Sequence, residues 1–414
     1  MPWLLRAAEV ALDGADIDVA IRIAARGLQG ATGETRGMFL EIQQLACSFR
    51  GDWSGAFAAG AGAMSLLEPG TTRWFRSAGS AMLTGIYLGK PETTVDVLQR
   101  SAALPTPEPS GPFGLAMYML VGTLLHAGAR EMVLGLIDRL EAAARTQTDP
   151  DPAFAGWLGT TRCTAGLFLF DRVGPSLIAA QEAVRSFDGA ADRVGWAAAA
   201  LYCGIAHIEA GQPEAARHWL EEVVARSKDA LLPTGDFARY YLARVEALRG
   251  NPAMAEALLQ APPGIADGAR AFVAEALWRN GDVDGARREG QRVTSSASVY
   301  ARVSGMSVLA RIALHEGRAA EAISLLDRAI ADQNAGSAAP FWRSILLLTR
   351  AEALDAAGDR QAARAAIAEA NERLERIAAG FADPALRESY LTAIEENART
   401  QALARAWRWR GPQR

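Results

Sequence analysis

Four charged residues of alternating sign, Arg244, Glu275, Arg311 and Glu352, each stand six positions before a glycine, at Gly250, Gly281, Gly317 and Gly358. Guanidinium and carboxylate groups at equivalent places in successive segments have two uses. They can line a groove in which arginines fork onto a charged peptide or small ligand, with Tyr240, Trp278 and Asp355 nearby in the chain adding aromatic and acidic contacts. Or they can form an internal ladder of salt bridges that stacks neighbouring segments. The ladder needs no ligand, because opposite charges at equivalent positions satisfy one another first. A second group lies near the end, where Arg405, Trp407, Arg408, Trp409 and Arg410 interleave without an acidic residue among them. Such a tail suits contact with a partner, an anionic membrane surface or nucleic acid. It equally suits a capping helix whose arginines snorkel around apolar stems.

Other chemistry finds few residues to carry it. Cys203 and His207 are four apart and would share one helical face, but no further pair of ligands accompanies them, so no metal is expected. Cys47 and Cys163 sit in apolar helical patterns far from each other, without the spacing of a disulfide framework. His126, His207, His218 and His315 are dispersed, His315-Glu316 lacks the second histidine of a zinc protease, and no Gly-x-Ser-x-Gly nucleophile elbow is present. These residues predict no catalytic site and no cofactor. An enzyme that uses carboxylates of the groove remains as an alternative.

The elements that must position the charged series are read from the glycines. Gly51, Gly211, Gly250, Gly281, Gly317 and Gly358 are each followed five places later by an alanine: Ala56, Ala216, Ala255, Ala286, Ala322 and Ala363. Seven residues before the last five glycines stand Gly204, Ala243, Ala274, Ala310 and Ala351. Each glycine ends one helical run and permits a tight turn, and the small residues on both sides let two antiparallel helices approach closely. In the C-terminal half the unit recurs every 31 to 41 residues. Earlier units are weaker, with turns at Gly14-Ala15-Asp16, at Gly51, near Gly89-Lys90-Pro91, near Gly128 and around Asp171 to Pro175. Pro105 to Pro112 and Thr146 to Pro152 read as extended connectors.

Small residues placed before and after a Gly-Asp-type turn resemble the tetratricopeptide repeat. That resemblance implies an all-α, right-handed superhelical solenoid of antiparallel helix pairs, nine or ten of them, whose leading helices line a concave binding face. It also implies a non-catalytic module for protein interaction. The lysines and asparagines with which chaperone-binding members of the family hold a terminal carboxylate are absent. The tail, Phe381-Ala382-Asp383-Pro384-Ala385-Leu386-Arg387-Glu388-Ser389-Tyr390-Leu391 followed by Glu396-Asn397-Ala398-Arg399 and Leu403 to Trp407, resembles the closing segment of helical arrays in large bacterial regulators. The Trp53 turn and Arg73-Trp74-Phe75 are similar to the opening of such arrays. In those regulators a protein kinase or a P-loop signalling ATPase precedes the array. No phosphate-binding loop and no kinase motif occurs here, so the resemblance implies a sensor array with a signalling kinase or ATPase as a separate partner.

Composition agrees with a folded helical protein. The 414 residues are 50% hydrophobic and 22% charged, and their net charge of -4 provides no molecule-wide field for a polyanion, so nucleic acid is not expected as a partner. The uncharged span Pro109 to Ala129 is too interrupted to cross a bilayer, and Arg6 and Glu9 break up the apolar start, so the cytoplasm is the expected location. The expected organisation is a repeat array over 1–380 and a C-terminal capping helix with a basic tail over 381–414. The expected role is an interaction or sensor module that binds a protein, peptide or small effector. A constitutive assembly scaffold is the alternative.

Overall fold

The structure is a computed structural model. It describes the chain apart from residues 15, 89, 127–128, 150, 229–233, 262, 297, 336–341 and 409–414, and apart from the side chains of 86–87, 91–94, 102, 126, 228, 263–265, 335 and 408. The turn residues Ala15, Gly89 and Gly128, the side chains of His126 and Arg408, and both Trp409 and Arg410 therefore lie outside the described residues.

Among the described residues every regular element is helical, and the helices follow one another in pairs. The first five pairs are α1 (Pro2–Asp13) with α2 (Ile17–Leu28), α3 (Gly33–Phe49) with α4 (Trp53–Leu66), α5 (Thr72–Tyr87) with α6 (Pro91–Ala103), α7 (Gly111–His126) with α8 (Arg130–Ala144), and α9 (Pro152–Leu169) with α10 (Val173–Ala190). Next come α11 (Arg193–Glu209) with α12 (Pro213–Lys228), and α13 (Thr234–Ala247) with the short α14 (Ala253–Ala257), which runs into a 3-10 turn. Then follow α15 (Pro263–Arg279) with α16 (Val283–Val293), α17 (Val299–His315) with α18 (Ala319–Ala335), and α19 (Arg343–Ala356) with α20 (Arg360–Ala378). Two further helices, α21 (Pro384–Thr392) and α22 (Glu395–Arg408), close the chain. The connectors start where the prolines place them, and helix resumes at Gly111 and at Pro152.

The turn chemistry is that of a left-handed helix cap. Gly51, Gly211, Gly250, Gly281, Gly317 and Gly358 all have φ between +74° and +88°, a region that a Cβ disfavours. Next to Gly281, the Asp282 N–H bonds back to the Leu277 carbonyl at 3.0 Å, and the Asp282 side chain then accepts from Gly285 N–H at 2.9 Å to cap α16. Asp52 and Asp359 cap α4 and α20 in the same way. The alanines on either side are sealed in: Ala216, Ala255, Ala286 and Ala322 have no exposed surface, nor do Ala243, Ala274, Ala310 and Ala351. Other turns depart from the glycine rule. At the first, Gly14 has φ −76° and the closing bond runs from Asp16 N–H to the Ala11 carbonyl. Between α10 and α11, Ala191 takes the left-handed place at φ +53°, and Asp192 N–H bonds to the Phe187 carbonyl at 3.1 Å.

The chain packs as two compact units. One comprises Met1–Ala165, Ile178–Tyr202 and Glu222–Phe237; the other comprises Gly166–Leu177, Cys203–Glu221 and Ala238–Arg414. In the first, a spine of rings crosses the leading helices α5, α7 and α9 and ends on α10. Phe75 meets Phe113 edge-on at 5.6 Å, Phe113 stacks on Phe154 at 6.4 Å, and Trp157 meets Phe187 at 5.0 Å. In the second, small residues dominate the helix contacts, and two apolar clusters form around the C-terminal helices. Tyr390 and Leu391 of α21 pack with Val173, Ala210 and Phe381, whereas Leu403, Ala404 and Trp407 of α22 pack with Leu347, Ala351 and Ile367. One straight helix cannot present its apolar residues to both clusters. The segment therefore breaks at Ala393 and Ile394, giving two helices where the sequence suggests one.

Candidate ligand-binding cavity and its ion pairs

The second unit buries a carboxylate between two guanidiniums. α15 carries Glu275, which is 1% exposed, and Arg279 one helical turn later places Nε 2.7 Å from Glu275 Oε1. Arg311 of α17 forks onto the same carboxylate, Nη1 reaching Oε1 at 3.2 Å and Nη2 pairing with Oε2. Burial alone would raise the Glu275 pKa, but Arg311 and then Arg279 hold it below the ordinary carboxylate value. The two remaining nitrogens of Arg279 reach α22, with Nη1 3.0 Å from Glu395 Oε2 and Nη2 2.9 Å from Glu396 Oε1.

Two other pairs lie on the same side of the unit. Arg244 of α13 pairs with Glu209 of α11 at 2.7 Å, and burial pushes the Glu209 carboxyl up despite that guanidinium. Arg373 of α20 grips both oxygens of Asp171 at 2.9 and 2.7 Å and also donates to Ser344 Oγ at 3.1 Å. Asp171 has φ +53°, a conformation that a non-glycine residue adopts at a cost and that concentrates at functional positions.

These pairs enclose a cavity of about 350 Å³. Asp171 and Glu209 stand at the turns that follow α9 and α11, and Arg244 and Arg279 come from leading helices. Trp342 and Ser344 lie at the start of α19. The remaining wall is the chain's own C-terminus, with Tyr390 of α21 and Glu395, Glu396 and Asn397 of α22. Asn397 is 1% exposed, and its Nδ2 donates to the Tyr390 carbonyl at 2.8 Å. Its Oδ1 accepts no hydrogen bond. The Ser389 hydroxyl bonds the Gly211 carbonyl at 3.0 Å and holds α21 against the turn before α12.

The charged series proposed from sequence is brought together only in part. Arg311 and Glu275 meet, Arg244 lines the cavity with Glu209 as its partner, and Glu352 pairs with Arg399 of α22. Tyr240 packs on Phe272, with ring centroids 4.8 Å apart, and burial raises its hydroxyl pKa well above the ordinary phenol value. Trp278 lies edge-on to His315 at 5.8 Å with the Arg311 guanidinium beside it, and Asp355 is exposed in the last turn of α19. In the tail, Trp407 is half-buried against the α19–α20 cluster and Arg405 is exposed. Cys203 and His207 are both buried, and His207 Nδ1 bonds Gln212 Oε1 at 2.8 Å. Among the described residues no group of three or more histidines, cysteines and carboxylates is placed to hold a metal, and no helix is long and apolar enough to cross a membrane.

Sequence reasoning missed Asp171, Glu209, Arg279, Arg373 and Asn397. It also missed a similar arrangement in the first unit. There Glu41 of α3, with no exposed surface, is held by Arg73 and Arg76 of α5, and Arg73 also reaches Glu9 of α1. Apart from Arg279 and Glu275, one helical turn apart, these partners come from distant segments, so no local spacing announced them.

The model of the family described as tetratricopeptide repeat matches residues 197–222, 237–261, 268–289 and 303–328, which cover the pairs from α11–α12 to α17–α18. No curated protein matches the chain. Among solved structures, one similar chain is a signal transduction ATPase with numerous domains and a tetratricopeptide repeat sensor from Pyrococcus horikoshii. It is 11% identical with a TM-score of 0.44, and the match covers 77% of this chain and 52% of that one. This chain thus spans about half the length of that protein. A second, from the Cut9–Hcn1 hetero-tetramer of the APC/C, is 12% identical with a TM-score of 0.34, covering 98% and 96%. A third, a Rap protein complexed with competence and sporulation factor, is 12% identical with a TM-score of 0.43, covering 90% and 99%. Likenesses this distant say nothing of function. The turn geometry, the buried small residues and the four matched stretches together show tetratricopeptide repeats within residues 197–328 of this all-α chain.

Proposed function

We propose that the chain is a non-catalytic sensor module of a bacterial signalling system, which binds a small effector in the cavity of its second unit and conveys occupancy to a protein partner such as a signalling kinase or ATPase. The observation that carries this reading is the cavity itself. Its wall is built from leading helices of the repeats on one side and from α21 and α22 on the other, with Arg279 joining the two. Pockets of this size with a few convergent polar groups are the usual seats of small ligands. Because Arg279 ties α15 to α22, a molecule entering beside it changes the position of a helix that a partner can read. The paired arginines and carboxylates support binding rather than turnover, since Arg244, Arg279 and Arg373 are each paired with a carboxylate of the wall.

Affinity isolation of the tagged chain from its native host, with identification of both proteins and small molecules, tests the proposal. Recovery of a stoichiometric small molecule together with a kinase or ATPase is the expected result. Recovery of structural proteins alone, with the cavity empty, would replace the sensor by a constitutive scaffold.

A further inference from the structure

Arg139 of α8, in the first unit, is a half-buried cation that meets only neutral acceptors. Its Nε donates to Thr106 Oγ1 at 2.7 Å, Nη1 to the Ser101 carbonyl at 3.1 Å and Nη2 to the Leu104 carbonyl at 2.9 Å. Its guanidinium carbon lies 5.1 Å from the centre of the Phe75 ring. Among the described residues no carboxylate pairs with it, and burial pushes its pKa below the ordinary arginine value with nothing to offset the fall. Arg73 and Arg76, by contrast, share Glu41, and Arg373 holds Asp171. A guanidinium withdrawn from water without a counter-charge is costly, and an anion delivered to it recovers that cost.

Thr106 is placed to supply the anion. It is exposed in the connector from α6 to α7, where Pro105 and Pro107 on either side favour an extended backbone. An exposed hydroxyl on an extended segment can enter the cleft of a protein kinase. The Thr106 oxygen accepts from Arg139 and, among the described residues, its own O–H donates to nothing, so a lone pair and a proton remain for transfer. Ser344 also accepts from a guanidinium, but Arg373 already has its carboxylate.

We infer that Thr106 is a phosphorylation site whose phosphate Arg139 receives. An ATP-dependent protein kinase of the host carries out the step. The Thr106 oxygen forms a bond to the γ-phosphorus, the bond from that phosphorus to the bridging oxygen breaks, ADP leaves with its electron pair, and the hydroxyl proton passes to a base of the kinase. The product brings a charge of about −1.5 to −2 and three acceptor oxygens to a guanidinium that now spends its donors on carbonyls. Charge-assisted hydrogen bonds then tie the connector to α8.

The chain isolated from growing and from starved cells of its own host, digested and read by mass spectrometry, is expected to carry phosphate on Thr106. Phosphate confined to other hydroxyls, or absent in both growth states, overturns the inference. Phosphorus NMR reads the part played by Arg139, on the full chain with phosphothreonine built in at position 106. Arg139 is expected to favour the phosphate dianion over the monoanion about tenfold, the worth of one charge-assisted hydrogen bond, so the second ionisation falls below its free value of about 6. Arg139→Gln should return it to that value, and Arg139→Lys, which keeps a cation, should return it only in part. An ionisation at the free value in the chain that retains Arg139 overturns the inference without requiring either variant to fold. The same lowered value in all three chains would leave Arg139 a structural role alone and overturn it as well. Arg139-dependent binding of inorganic phosphate to a chain never modified at Thr106 would make this a site for a free anion, which also contradicts the inference.

Discussion

Arg279 and Glu396 are 117 residues apart in the chain and 2.9 Å apart in the fold. The same guanidinium holds the buried Glu275, so one side chain links the core of the repeats to the helix that closes the cavity. Breaking a buried pair costs about 3–5 kcal/mol when one charge is left alone, but Arg311 still serves Glu275, so Arg279→Met is expected to lose about 2 kcal/mol. Glu396→Gln leaves the Glu275 pair intact and should cost below ~1 kcal/mol. Urea unfolding measures both. Hydrogen exchange across α22 should rise in each variant, because each loosens the same tether.

Acid sensitivity should begin with His207. Burial lowers its pKa from the ordinary 6.5, so the folded state keeps the ring neutral while the unfolded chain takes up a proton first. The unfolded state therefore binds more protons between the lowered value and 6.5, and stability falls as pH drops through that window. His207→Gln should remove this part of the pH dependence in urea titrations. Glu275 acts lower down. Its pKa is held below 4.5, so its contribution is present above that value and is lost as pH falls through the folded one.

Left-handed turn positions predict opposite outcomes for opposite substitutions. A Cβ at Gly281 would meet nothing within 4 Å, so the cost of Gly281→Ala comes from φ +79° alone, about 1–2 kcal/mol. At Ala191, φ +53° already carries that strain, and Ala191→Gly should gain up to about 1 kcal/mol after the added freedom of the unfolded chain is counted. Thermal unfolding of the two variants checks the pair of signs.

Phe187 lies where a Cβ at either Gly156 or Gly195 would overlap its ring. Gly195→Ala should therefore destabilise the first unit by about 1–3 kcal/mol through overpacking, although alanine favours helix. Gly135→Ala in α8 has open space around it and should stabilise by up to ~1 kcal/mol. Equal effects at the two sites would contradict the packing account.

The repeat was legible because its requirements are local. A left-handed turn needs glycine at Gly281, a close helix contact needs Ala274 and Ala286, and all three fall within one short stretch of chain. Charge partners follow another rule. Arg244, Glu275, Arg311 and Glu352 could be picked out by register, but their register does not say that Arg244 turns to Glu209 or that Glu352 meets Arg399. Asp171 and Arg373, 202 residues apart, meet only because the C-terminal helices return to the turn after α9. The break between α21 and α22 was hidden for the same reason, since it answers to two apolar clusters built from earlier segments.

Native mass spectrometry of the intact chain, purified gently from its own host, tests the central claim most directly. A single small molecule bound per chain, released when Arg279→Met loosens α22, is the predicted result. A chain that always flies at the mass of the polypeptide alone, with or without Arg279, would contradict it.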